Sequence, residues 1–297
     1  MGRTWRGHIV LLIFVIAPLV GTAYAMYTLW ARMIGWTELS LFFALYLMTG
    51  MGITIGYHRM LTHRSFESSN VIRAIFLMLG SMAVQGRAID WAANHLKHHA
   101  HADEEGDPHS PLEGLFHAHV GWLFKAPPAD RERYAKKLTQ DPLISFFDRT
   151  FLLWVVVGMV IPYLIAGWHG LLWGGLVRIA VVNHVTWAVN SVCHRFGDRP
   201  FAIKDESRNN LLIGLLAFGE GWHHNHHAFP AMAYHGMNWR QFDISAIVLR
   251  LLARLKLIWN VKMPSPDLVE RRRRKPGDPP GVPSASKQPS PNPQPGD

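Results

Sequence analysis

Residues 39–63 read LSLFFALYLMTGMGITIGYHRMLTH, and their reading decides the fold. The stretch 39–56 carries no charge and is apolar throughout, close to the roughly 20 residues that cross a bilayer as a helix. Two histidines, His58 and His63, stand directly behind it. An apolar helix that delivers histidines at its own end is the unit to look for in the rest of the chain.

Working outward, three more stretches are long and apolar enough to span: residues 9–30, 151–168 and 171–191. Only the turn Gly167-Trp168-His169-Gly170 separates the last two, so they read as a tight helical hairpin. Trp30, Trp36, Trp168 and Trp173 sit where an interfacial aromatic belt belongs. Ala23-Tyr24-Ala25 resembles a signal-cleavage site, but the apolar run before it is too long for a signal peptide, so the helix is expected to be retained. Two apolar stretches are expected not to cross. Residues 72–84, between Arg73 and Arg87, are short and read as an interfacial helix. Residues 244–259 mix Arg250, Arg254 and Lys256 with leucines, an amphipathic surface pattern.

Four spans put both termini and both long polar segments on one side. Of the 30 Lys and Arg, 28 then lie there; Arg32 is opposite and Arg178 lies in a span. The positive-inside rule makes that side cytoplasmic. The expected fold is all-α: four transmembrane helices under a cytoplasmic, histidine-rich helical cap built from 57–150 and 192–263, together one domain over 1–263. From residue 264 the chain is basic and Pro-rich and is expected to be a disordered tail. Its run Arg271 to Lys275 suits either anionic headgroups or plain solvent.

Composition excludes other classes. With 49% hydrophobic and 17% charged residues among 297, the chain is neither fibrous nor wholly disordered. The single Cys193 excludes a disulfide scaffold and a built-in iron–sulfur carrier. The net charge of +9 does not indicate nucleic acid, because the cations neither line a polar helix nor alternate with aromatics.

Eighteen histidines fall mostly outside the apolar blocks. His95, His98 and His99 share a helix face by the i, i+3, i+4 rule, and so do His223, His226 and His227. Asn190 and His194 share one at the end of the fourth span. His58 and His63 do not: five α-helical residues leave them about 140° apart. They converge only if the helix ends or bends, or if each serves a different centre. A lone histidine is usually an ordinary polar side chain. Three on one face, twice, repel on protonation and gain nothing in packing, so metal ligation is the better account. Nine imidazoles without a nearby cysteine point to iron or zinc.

With these residues in place, the chain resembles the membrane fatty acyl desaturases of the acyl-CoA type. The resemblance rests on His-x4-His, two His-x2-His-His boxes and Asn-Ser-x-x-His, and on flanks such as Gly56-Tyr-His58-Arg59, Asp107-Pro108-His109 and Gly219-Glu-Gly-Trp-His223. It covers about residues 9–260. It implies two iron ions held by His58, His63, His95, His98, His99, His194, His223, His226 and His227, with Asn190 ordering a metal-bound water. It also implies dioxygen as oxidant and a cis double bond as product, with the 9,10 position expected. His224 occupies a variable place in the third box, and His8, His169, His184 and His235 match no ligand position. His109, His117 and His119 are expected around the site, and Asp90, Asp103, Asp107 and Glu220 as partners for the outer ring nitrogens.

The substrate implied is a long-chain fatty acyl group, acyl-CoA first, with phospholipid and acyl-carrier forms open. Ala93-Asn94 and the segment Leu123-Phe-Lys125-Ala-Pro-Pro128 depart from the acyl-CoA pattern, while Arg131, Arg133, Lys136 and Lys137 are candidates for nucleotide phosphates. No haem-domain motif is present, so electrons are expected from a separate ferredoxin-like or haem carrier with its NAD(P)H reductase, which a basic face would suit. Tyr46 lies 12 residues before His58 and Gly50 eight before it, about 18 and 12 Å deeper along a helix. Both become candidate walls of a substrate tunnel. Membrane hydroxylases and alkane oxygenases share the histidine boxes and remain the alternative. A metal transporter or sensor is more remote, because transport needs ionisable ligands inside the spans.

Overall fold

A computed structural model describes residues 5–30 and 34–274. Arg3, Arg32 and residues 275–297, on which sequence expectations fell, lie outside the described residues. The chain is built from helices: α1 Trp5–Trp30, α2 Trp36–Met51, α3 Asn70–Met82, α4 Ala88–His101, α5 Trp122–Lys125, α6 Arg131–Tyr134 and α7 Lys136–Thr139. There follow α8 Pro142–Arg149, α9 Phe151–Gly170, α10 Arg178–Val192, α11 Leu211–Leu216, α12 His223–Ala228, α13 Ile244–Arg254 and α14 Pro266–Arg272. A π-helix, Gly52–Thr62, continues α2 without a break, and a second, Leu171–Val177, joins α9 to α10. The only sheet among the described residues pairs Glu67 with Trp259 and Ser68 with Ile258, antiparallel.

Three continuous segments are long and apolar enough to cross a membrane: Gly7–Thr28, Trp36–Thr62 and Phe151–Val192. The third is not straight. Helical geometry breaks at Ala166 (φ −135°, ψ 23°) and Gly167 (φ 57°, ψ −143°), a left-handed conformation that glycine adopts without penalty. Beyond it the chain runs back along itself. Arg178 Nη2 donates to the Gly158 carbonyl at 3.2 Å, although 20 helical residues would span about 30 Å. A Cβ on Gly170 would overlap the Pro162 carbonyl, and one on Gly174 would lie 2.8 Å from Pro162 Cβ. Small residues therefore let the two arms touch, and the reversal falls at the head of the turn expected from sequence.

Arg178 is fully buried. Its guanidinium donates to three carbonyls, Gly174 (3.0 Å), Met82 (2.5 Å) and Gly158 (3.2 Å), and so staples both arms of the hairpin to the end of α3. α3 itself has 13 residues, about 20 Å, short of the hydrocarbon thickness. It lies against the Gly52–Thr62 helix along a glycine seam, where a Cβ on Gly52 would overlap the Gly80 backbone and one on Gly56 would sit 2.9 Å from the Phe76 carbonyl. In α13, Ala246 and Leu249 face inward while Ile247 and Leu251 stay exposed beside Arg250 and Arg254, as an amphipathic surface helix requires.

One expectation needs correction. Residues 264–274, assigned from composition to a disordered tail, are folded. Ser265 caps α14, and Leu268 and Val269 pack on Phe201, Phe229 and Met232. Arg272 donates to the Ala228 carbonyl and stacks on Phe229. Two apolar side chains among prolines and arginines are enough to dock this segment beneath the third histidine box.

Candidate metal centre

The helix carrying His58 and His63 settles how they meet. Over Gly52–Thr62 it is wound as a π-helix, and the His63 amide donates to the His58 carbonyl, an i to i+5 bond of 3.1 Å. The looser winding brings positions five apart toward one face, and the ring centroids lie 4.8 Å apart. α4 supplies His95, His98 and His99, and α12 supplies His223, His226 and His227. His194 follows the end of α10 and is buried.

All nine of these histidines converge, in two sets. Ring nitrogens of His58, His63, His95, His99 and His226 lie within 4.8 Å of one another, and so do those of His98, His194, His223 and His227. Both His-x2-His-His boxes divide between the sets, while His58 and His63 stay in one. The i, i+4 pairs His95/His99 and His223/His227 stay together, whereas His98 and His226 cross to the set opposite. Asn190 lines both cavities described below, beside His95 and His223.

The Nε2 atoms approach at 3.1 Å (His58–His226), 3.0 Å (His63–His95), 3.0 Å (His95–His99), 2.9 Å (His99–His226) and 3.0 Å (His194–His223). One ring nitrogen has one hydrogen or one lone pair, so His95 and His99, each touching two neighbours, cannot make two good hydrogen bonds there. A shared cation satisfies every lone pair at once. Nitrogens at right angles around a metal at about 2.1 Å are about 3.0 Å apart, which is the spacing found. Burial, reinforced by neighbouring imidazoles, holds His63, His95, His99, His223, His226 and His227 well below the ordinary histidine range, in the neutral form that binds metal.

Carboxylates hold the outer nitrogens. His58 Nδ1 donates to Glu220 (2.5 Å), His98 to Asp107 (2.9 Å), His194 to Asp103 (2.9 Å) and His227 to Asp205 (3.2 Å). Burial opposes ionisation of Glu220, yet His58 and the buried Arg59 hold its carboxyl below the usual range. Of the four acids expected in this role, Asp90 is elsewhere, paired with Arg131 at 2.6 Å. Asp205 was missed, because nothing in its spacing to His227 marks it.

The remaining histidines divide by what they touch. His224 is buried away from both sets, between the Ser207 and Phe201 backbones at 2.8 and 3.0 Å. His109 lies against His98 (centroids 4.3 Å) near Asp107, and His117 contacts the Pro108 carbonyl. His119 pairs with His184 (2.9 Å) and Ser191 (3.0 Å). His235, which matched no ligand position, is fully buried beside Glu220 and His226.

Two cavities meet at the histidines. The inner one is bounded by Tyr46, Gly50, Val182, Val189 and Phe218 and reaches His58. The Tyr46 hydroxyl donates to the Leu216 carbonyl at 2.7 Å, and its ring packs on Phe218. The outer cavity has Leu11 and Phe14 of α1 on one side and Arg87 and Asn94 on the other. Trp91, His95, Thr186 and Asn190 line both. At this junction Gln85 donates to Thr186 (2.9 Å) and accepts from Trp91 (3.2 Å), a bridge that sequence reading did not single out.

The family model described as fatty acid desaturase matches residues 34–238. The chain is 37% identical over 283 residues to hex-5-enoyl-[acyl-carrier protein] acetylenase of Moorena producens, with 88% of each chain covered. It is 39% identical over 232 residues to sn-1 stearoyl-lipid 9-desaturase of Anabaena variabilis, covering 77% of this chain and 85% of that one. It is 40% identical over 235 residues to acyl-CoA C20 Delta5-desaturase of Anemone leveillei, covering 77% and 75%.

Proposed function

The chain belongs to the fatty acid desaturase family and is an oxidoreductase, and from that premise we propose that it desaturates a long-chain fatty acyl group at a di-iron centre. The observation that carries this reading is the pair of histidine sets beside a mostly apolar cavity that reaches from His58 and His223 to Tyr46 and Phe218. His58, His63, His95, His99 and His226 would hold one iron, and His98, His194, His223 and His227 the other, with Asn190 beside them. An unactivated methylene C–H yields to no side-chain base, and the metal pair with dioxygen supplies the oxidising power. Overall, two hydrogens leave adjacent carbons, dioxygen becomes two waters, and the balance takes two electrons and two protons from outside.

The protein's own part is orientation and exclusion of water. The acyl tail would enter past Trp91 and Thr186, with its end against Tyr46 and Phe218. The head would stay at the polar mouth by Arg87 and Asn94. Helices α1 to α13 would form one membrane desaturase domain crossing four times, with the reversal at Gly167 making the third and fourth crossings from one apolar segment and the cap built from 57–150 and 192–263. Both termini and the metals would face the cytoplasm.

The relatives' names specify acyl-lipid, acyl-CoA and acyl-carrier substrates, so the fatty acyl chain is their common element. In its specific form the reading is a 9,10 desaturase of acyl-CoA. Fatty-acid profiling of an unsaturate-requiring host that expresses the chain tests it, with bond positions assigned by mass spectrometry. A cis-alkene at carbon 9 is expected. A bond elsewhere corrects the regiochemistry, a hydroxy acid selects the oxygenase alternative, and no oxygen-dependent product overturns the reading. Because one relative is named an acetylenase, alkynes belong in the same analysis.

A further inference from the structure

A hollow lined by Leu61, Thr62, Leu96, Arg64, Arg133, Lys136 and Lys137 lies directly behind the five-histidine set. Thr62 precedes His63 in the chain, and Leu96 follows His95. Arg64, Arg133, Lys136 and Lys137 are all exposed and make no ion pair among the described residues. By contrast Arg131, grouped with them from sequence, is spent on Asp90 and Asp148. Glu132 is the only acid on the wall.

Two further features give this patch a direction. Three rings of the five-histidine set, His63, His95 and His99, are only half-buried, whereas every ring of the four-histidine set is buried. The outer cavity is lined by different residues, among them Arg87, Asp90, Asn94 and Pro128, and shares none with the hollow.

We propose that this hollow is the docking face for an acidic one-electron carrier protein, which delivers electrons through His63 to the five-histidine metal. The assignment rests on the desaturase reading above. Each docking oxidises the carrier by one electron and reduces the metal pair by one, so two carriers serve each turnover, while water supplies the two protons. Four exposed cations around a hollow that includes Thr62 and Arg64, the chain neighbours of His63, give the steering field that complementary charge provides, and such steering acts mainly on the association rate and fades with salt.

The test uses the full-length, iron-loaded protein in nanodiscs, comparing wild type with Arg133→Glu/Lys136→Glu/Lys137→Glu. Reductants are two acidic carriers, a plant-type ferredoxin and a soluble cytochrome b5 domain, and the small dye reduced methyl viologen. At low salt the variant should lose about tenfold or more in second-order reduction by a carrier, with a flattened salt dependence. Arg133, Lys136 and Lys137, candidates from sequence for nucleotide phosphates, line neither acyl cavity, so iron content and viologen-driven turnover at saturating acyl substrate should match wild type. Docking here is overturned by unchanged carrier kinetics, by wild-type reduction with viologen but with neither carrier, or by a raised KM for the acyl substrate alone, which would mark a phosphate site. Loss of binding to anionic vesicles with unaltered carrier kinetics overturns it equally, in favour of a lipid contact. If wild type yields no product with any reductant, the desaturase reading fails instead.

Discussion

At positions 223 and 224 neighbouring imidazoles have opposite tasks. His223 Nε2 lies 3.0 Å from His194 Nε2 inside the four-histidine set, whereas His224 ties the Phe201 and Ser207 backbones together. His223→Ala or His194→Ala is therefore expected to lower bound iron from two toward one per chain and abolish turnover, while His224→Ala keeps its iron. The His224 variant instead leaves buried backbone groups unpaired, at about 1–3 kcal/mol, seen as a lower Tm. Metal analysis beside thermal unfolding separates the two, and iron loss in His224→Ala alone would invert the assignment. Burial also pushes His224 down to about 4 and His109 to about 3, below the 6.5 of a free imidazole. The unfolded chain then takes up protons near pH 6.5 and the folded chain only at lower pH. Stability from these rings is complete above pH 6.5 and is lost as pH falls through the window toward 4. The six depressed cluster histidines act with the same sign. The metal-free protein should thus melt at progressively lower temperature from pH 7 to pH 5. A flat profile would mean that the rings are not held neutral.

Within the elements, the α2 helix and its π-wound continuation connect chain-length selection to the metals. A Cβ on Gly50 would overlap the Phe218 ring, and Tyr46, one turn deeper, is pinned to the Leu216 carbonyl. Gly50→Phe must displace Phe218 into the inner cavity, so preference should move toward shorter chains; Tyr46→Ala removes the floor and should admit longer ones. Changes of about tenfold in relative rates are expected, the scale that one or two methylenes command in an apolar pocket. Competition among 14- to 20-carbon substrates measures this, and unchanged product ratios in both variants would place the floor elsewhere. The same helix marks how far sequence reading reached. Helical spacing brought together six of the nine histidines in the two sets, because i, i+3 and i+4 positions share a face whatever surrounds them, and the family resemblance supplied His58, His63 and His194. It could not say how His58 meets His63, since no residue between them announces a π-helix; the winding accompanies close packing on α3 at Gly52 and Gly56. Nor could it divide the second and third boxes between two sets, because that choice is made by the helix opposite. Asp205 and the folded stretch 264–274 were hidden for a related reason: their partners are distant in sequence.

Across the whole molecule, charge, histidines and helix reversal bear on one topological question. Both histidine-bearing regions meet at a single end of the helical bundle, so they must lie on one side of any membrane the apolar segments cross. Phe151–Val192 satisfies that demand by bending back at Ala166 and Gly167; a straight 42-residue helix would carry His194 away from His63. Arg178 holds the return in place, since separating the arms would strip a buried guanidinium of carbonyl partners. In the proposed four-span arrangement the exposed Trp168 at the tip of the reversal and the exposed Leu112 of the 57–150 segment would belong to opposite faces. Cys193 is fully buried and is the only cysteine, so a Cys193→Ala background offers single-site labelling. With an impermeant maleimide, Trp168→Cys should react in intact cells and Leu112→Cys only in inverted vesicles, each reversing when the membrane is turned. The lysines and arginines that crowd the histidine face predict the same orientation. Labelling of both positions from one side would mean that the hairpin enters and leaves without crossing, and the four-span arrangement would fall with it.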